Sequence, residues 1–164
     1  MAIATYRCTV LDVDDLTVAY KFWSEVTGLE IIGSPGGWHG RFGYLGRKDP
    51  WKHEFILQVV DTPKGERANR VHIDLTPNQG MDRAIEDIIA LGGSVKKPPT
   101  LYPRPGSHGD EPPVIEWAVM QDPFGNEFCL VSALDQREIE AVLKASMAGA
   151  STDHELRVVA GRTS

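Results

Sequence analysis

The chain has 164 residues, enough for one domain or for two small modules sharing a core. Hydrophobic residues make up 41% and charged residues 24%, which places it among folded globular proteins and excludes a disordered chain. A formal net charge of −6 argues against a nucleic-acid surface, because phosphate contacts rest on clustered Lys and Arg.

Residues 5–13, "TYRCTVLDV", alternate and are rich in β-formers, so they predict a strand. In 14–28, Leu16, Ala19, Tyr20, Trp23 and Val26 recur at spacings of three and four. That predicts an amphipathic helix, with Asp14 or Asp15 capping its start and Gly28 its end. Strands are expected at 29–34, 39–47 and 53–61, and a polar connector at 62–69. The pattern then restarts with a strand at 70–77, a helix at 81–93 and a strand beginning at 94–97. Residues 98–113, "PPTLYPRPGSHGDEPP", read as a loop or irregular edge; strands follow at 114–121 and 127–133, separated by the turn "DPFGN".

Strand–helix–strand–strand–strand therefore occurs twice. Displaced by 64 residues, Gly28 falls on Gly92 and Cys8 on His72, which predicts two fused copies of one module, 1–64 and 65–133. Residues 134–164 form a third segment. Ile139, Val142, Leu143 and Met147 share one face of a helix over 134–147, and the tail beyond has a disorder-prone composition broken by "ELRVV".

No secretory leader is read at the start, and no stretch nears the roughly 18 apolar residues of a membrane span. Two cysteines make no disulfide framework. A cytoplasmic setting, without membrane or nucleic-acid partners, is the expectation.

Three segments, "DVDDLTVAYKFWSEVTGLE", "NRVHIDL" and "DPFGNEFCLV", resemble the glyoxalase / bleomycin-resistance / extradiol dioxygenase group, the vicinal oxygen chelate superfamily. Within it they look most like the glyoxalase-like branch common in actinobacteria, and the likeness spans roughly residues 5 to 133. The resemblance implies an α+β fold of two βαβββ modules, each an open half-barrel, paired around a cavity. Metal-dependent members of the group place one ligand on the first and fourth strand of each module. Those positions here are Cys8, Gln58, His72 and Cys129, with Ile56 or Val60 replacing Gln58 on a two-residue shift.

Strand alternation puts His72 and Asp74 on one face and Val71, Ile73 and Leu75 on the other. It likewise groups Glu127, Cys129 and Val131 against Phe128 and Leu130. Cysteine and glutamine stand where the resemblance implies carboxylates, so the expected pocket holds no cofactor. The alternative is a divalent metal (Zn, Ni, Fe or Mn), most simply Zn on Cys8, His72 and Cys129 with an open fourth position. Buried, inert thiols are the plain reading of the two cysteines.

His72, with Asp74 beside it, is the candidate acid–base group. Trp38, Tyr44 and Trp117 are candidate pocket walls, Arg41 a receiver for an anionic group, and Gln58 and Glu127 polar ligand-binding groups, Glu127 nearer the rim. His39 and His108 lie in Gly-rich turns at the expected mouth, and 98–113 is a candidate lid. The first functional expectation is a small-molecule-binding protein. A lyase or isomerase of the glyoxalase type comes second, and a structural or partner-interaction module third. A homodimer is expected, the two-fold pair being the commonest assembly.

Overall fold

The computed structural model of the chain describes residues 3, 6–32, 40–47, 53–62, 64–67, 69, 71–106 and 111–163. They form two compact units, one of Met1–Arg67 with Asp122–Asn126, the other of Ala68–Gln121 with Glu127–Ser164.

The first unit holds β1 (Thr9–Val13), α1 (Leu16–Thr27), β2 (Glu30–Ile31), β3 (Phe42–Gly46) and β4 (His53–Val59), its strands ordered β1-β4-β3-β2. Parallel β1 and β4 bracket the module, and β4–β3–β2 run antiparallel. Asp15 caps α1 by accepting from the Val18 N–H at 2.9 Å, and Gly28 ends it in the left-handed region at φ 69°. The helix buries Ala19, Phe22 and Trp23 with Leu45, Phe55 and Leu57 of the sheet. Trp23 meets Phe22 edge-on at 5.4 Å and Phe55 at 5.5 Å. Gly43 has no side chain because α1 lies on it: a Cβ there would stand 2.7 Å from the Tyr20 ring, whose hydroxyl accepts from the Tyr44 N–H at 3.0 Å.

The second unit repeats the order: β5 (Asp74–Leu75), α2 (Met81–Ala90), β6 (Ser94–Tyr102), β7 (Ile115–Gln121) and β8 (Glu127–Ala133), with strands β5-β8-β7-β6. Again the first and fourth strands are parallel neighbours. The chain is thus α+β, two βαβββ modules followed by α3 (Gln136–Met147) and α4 (Asp153–Val159).

One expectation is resolved and another needs correction. Of the loop or irregular edge expected from 98 onward, the structure takes the irregular edge as far as Tyr102, so Pro98 and Pro99 lie inside β6. The sheet tolerates them because β6 is an edge strand, and its register slips between Val95 and Lys97 and again between Lys97 and Thr100. The strand expected over 70–77 is regular only at Asp74–Leu75, so His72 lies just ahead of it, though the Ile73 carbonyl still accepts from the Cys129 N–H at 2.8 Å.

The tail is folded around "ELRVV". In α4, Thr152 and Glu155 form a capping box, and Leu156 and Ala160 join Leu101, Leu134 and Val142 in one buried cluster. On β7, Glu116, Ala118 and Met120 are buried while Ile115, Trp117, Val119 and Gln121 are only half-buried. Arg157 of α4 reaches Glu116, so the helical extension packs on the Glu116 side, and the Trp117 side is the sheet's more open face.

Candidate functional site

The open face of the second sheet is built from alternate residues of its strands. Cys129 of β8 faces Asp74 of β5 on one side and Val119 of β7 on the other. One step along, Trp117 faces Val131 and Thr100; one step back, Gln121 faces Glu127. His72 precedes β5 on the same side and sets Nε2 3.3 Å from the Asp74 Oδ1. The side chains of His72 and Asp74 are 55% and 58% exposed, whereas Cys129 is buried. One donor atom from each of His72, Asp74 and Cys129 lies within 4.8 Å of the others.

Electrostatics at this cluster favour a neutral thiol. Burial first, then the Asp74 charge and its hydrogen bond, push the Cys129 thiol up to about 11, with Glu127 adding and Lys97 opposing. Glu127 is itself buried, ion-paired to Lys96 and accepting from the Asn69 N–H at 3.3 Å. Expected as a polar group at the rim, it is tied into the protein.

The other expected site residues divide as follows. Trp117 is half-buried on the open face, with the Lys97 Nζ 3.8 Å from its ring centroid. Cys8, Arg41, Tyr44 and Gln58 belong to the first unit. Arg41 is exposed, its carbonyl accepting from the Val59 N–H at 2.8 Å. Tyr44 and Gln58 are half-buried on β3 and β4. Trp38, His39 and His108 lie outside the described residues.

Register resolves the open choice around Gln58. Val10 matches Asp74 under the displacement of 64, and Val10 faces Ile56 as Asp74 faces Cys129. The first-module counterpart of Cys129 is therefore Ile56, a side chain that holds no metal; Gln58 faces Asp12 and Phe42 instead.

The donor set of the second unit does suit a cation. An imidazole nitrogen, a carboxylate oxygen and a thiol sulfur are a combination Zn²⁺ accepts, and three protein ligands leave a fourth position open. Asp74 supplies from the neighbouring strand the carboxylate that Cys129 lacks.

The "DPFGN" turn has a different duty. Asp122 is buried, and its carboxylate accepts from the Phe124 N–H (2.9 Å), the Asn126 N–H (2.7 Å), the Asn126 amide (2.9 Å) and the Trp23 indole (3.2 Å). The Asn126 amide also donates to the Asp12 carbonyl at 2.8 Å. Burial raises the Asp122 carboxyl while these hydrogen bonds oppose it. The motif thus fastens the turn to α1 and β1 of the first unit.

A separate depression of about 320 Å³ lies at the start of α2, with Arg83 and Arg162 among its lining residues. Both arginines are already matched, Arg83 by Asp87 and Glu86, Arg162 by Glu138 and Glu116.

Duplicated βαβββ modules whose first and fourth strands lie side by side define the class. The chain belongs to the glyoxalase-like domain family, whose model matches residues 8–131. None of the curated proteins compared with it matches. Among solved structures it is similar to a hypothetical protein from S. aureus, 18% identical over 79% of this chain and 95% of that one, TM-score 0.55. It is similar also to a glyoxalase-family protein from Bacillus anthracis, 18% identical over 81% and 98%, TM-score 0.53. A third is a variant of the fosfomycin resistance protein FosX from Listeria monocytogenes, complexed with Mn(II) and a dihydroxypropylphosphonic acid. It is 19% identical over 79% and 90%, TM-score 0.54. At these identities the likenesses show the fold. No helix among the described residues is long and apolar enough to cross a membrane.

Proposed function

We propose that this chain is a small-molecule-binding protein whose ligand lies on the open face of the second sheet, against His72, Asp74 and Cys129. The observation that carries this reading is the meeting of those three side chains within 4.8 Å on a face flanked by Trp117, Val119 and Val131. Such a mix of flat apolar wall and convergent polar groups is how small-molecule sites are made. A homodimer and a cytoplasmic setting belong to the same reading. The FosX relative, which holds a small phosphonic acid, supports the fold as a host for compact ligands. A fragment screen by amide-shift mapping on isotope-labelled protein tests it. Binders should shift residues 72–74, 117–121 and 129–131, and His72→Ala should weaken them; shifts confined to other surfaces would end the proposal.

The donor set favours a second reading, a metal-dependent lyase or isomerase. His72, Asp74 and Cys129 would hold the ion, which would polarise a ligand oxygen as a Lewis acid. In the metal-free reading Asp74 orients the His72 ring through the 3.3 Å contact at Nε2, leaving Nδ1 to exchange a proton with the ligand. Metal analysis of the purified protein, with Zn²⁺ titrated calorimetrically into wild type and Asp74→Asn, separates the readings. Metal in the wild type, and affinity lost in the variant, favour the enzyme. Equal, weak uptake by both leaves the metal-free binder.

A further inference from the structure

Lys97 stands in one cross-strand row with the cluster: it faces Val119, Val119 faces Cys129, and Cys129 faces Asp74. At the usual spacing between strands, its Cα is about 10 Å from that of Cys129, within reach of one small ligand. Of the other charged groups on this face, Lys96 is paired with Glu127, and the Asp74 carboxylate stands 3.3 Å from the His72 imidazole. Lys97 has no carboxylate partner among the described residues, and its ammonium sits 3.8 Å from the centroid of the Trp117 ring. A ring face steadies a cation but does not satisfy its three N–H donors.

We propose that Lys97, braced by Trp117, is the charge-recognising residue of this site, and that the ligand is a small organic anion. Its acidic group lies at Lys97 and a hydroxyl or carbonyl oxygen at His72, Asp74 and Cys129. The proposal rests on the open face being the ligand site. Orientation follows from charge: the Asp74 carboxylate repels an acid at the β5 end, and Lys97 attracts it at the β6 end. Sequence points to Arg41 for this duty; Lys97 is the cation that shares the sheet face of the cluster.

The test pairs anions with their neutral amides. Lactate and 4-hydroxybutyrate, against lactamide and 4-hydroxybutyramide, are titrated into labelled wild type, Lys97→Met and Lys97→Arg while amide shifts of 72–74, 117–121 and 129–131 are followed. Wild type should prefer at least one acid over its amide by about tenfold, a charge-assisted hydrogen bond's effect. Lys97→Met should bind acid and amide alike, Lys97→Arg should keep the preference, and added salt should shrink it. If amides bind at this face but acids gain nothing, or Lys97→Met retains the preference, the anion proposal is overturned while the ligand site stands. If neither acids nor amides shift this face, the site itself fails and the proposal with it.

Discussion

Cys129 is the residue at which the local electrostatics are most exposed to test. Its thiol is held up to about 11, so the neutral form dominates and the thiolate is about a thousandth of the population at pH 8. Alkylation of Cys129 by iodoacetamide, followed by peptide mass spectrometry, should quicken about tenfold per pH unit between roughly pH 8 and 10. Asp74→Asn removes a charge and a hydrogen bond that favour the neutral thiol, so the rise should move to lower pH. A rate that levels off near pH 8.5 in wild type would contradict the described contact. Sequence alternation alone put His72 with Asp74, and Cys129 on the face of its own strand, because strand parity is local. It did not join the two pairs, since that requires the β5–β8 register. Nor did it single out Lys97, because the two prolines after it read as the end of the strand. Glu127's ion pair with Lys96 depends on two strands 31 residues apart and leaves no mark in either segment.

At the scale of elements, the "DPFGN" turn and the helical extension carry separate predictions. Asp122→Ala strips the acceptor from four buried or half-buried donors, so it should cost about 2–4 kcal/mol in urea unfolding and unsettle Trp23 fluorescence. The extension is fixed by two arginines on a fully buried acid: Glu116 pairs with Arg157 and, at 3.4 Å, with Arg162, while Arg157 also pairs with Asp82. Arg157→Ala leaves Glu116 with one longer ion pair, and a loss of about 3 kcal/mol or more is expected from the same unfolding measurement. Glu138 adds a pH dependence. The hydrogen bond from Arg162 holds its carboxyl below the ordinary value of 4.5. Its stabilisation is therefore complete above that value and is lost as pH falls below it. Glu138→Gln should flatten this acid limb of the unfolding free energy. The ends of α1 were legible in the Asp14–Asp15 pair and in Gly28, whose capping chemistry is local; the structure selects Asp15. The folded tail was not, because a short helix like α4 forms only where Leu156 and Ala160 find Leu101 and Val142.

For the whole molecule, the duplication was legible because the displacement of 64 residues overlays strand and helix without a gap. The βαβββ fold was legible through the resemblance, whereas the parallel pairing of first and fourth strands in both modules comes from the structure. The site has not kept that symmetry. Where the second module has His72, Asp74 and Cys129, the matching first-module positions are Cys8, Val10 and Ile56. On the proposed reading the chemistry lies in one copy, so single substitutions there should abolish binding while equivalent changes at Val10 or Ile56 should leave it. A homodimer is the expected assembly, and light scattering at micromolar concentration should return about twice the 18.1 kDa chain mass. The most direct test of the central claim is a crystal structure of the protein soaked with fragments that bind it in solution. The account predicts ligand density against His72, Asp74 and Cys129, with an acidic group toward Lys97. Density elsewhere, with this face filled by the protein's own side chains, would contradict it.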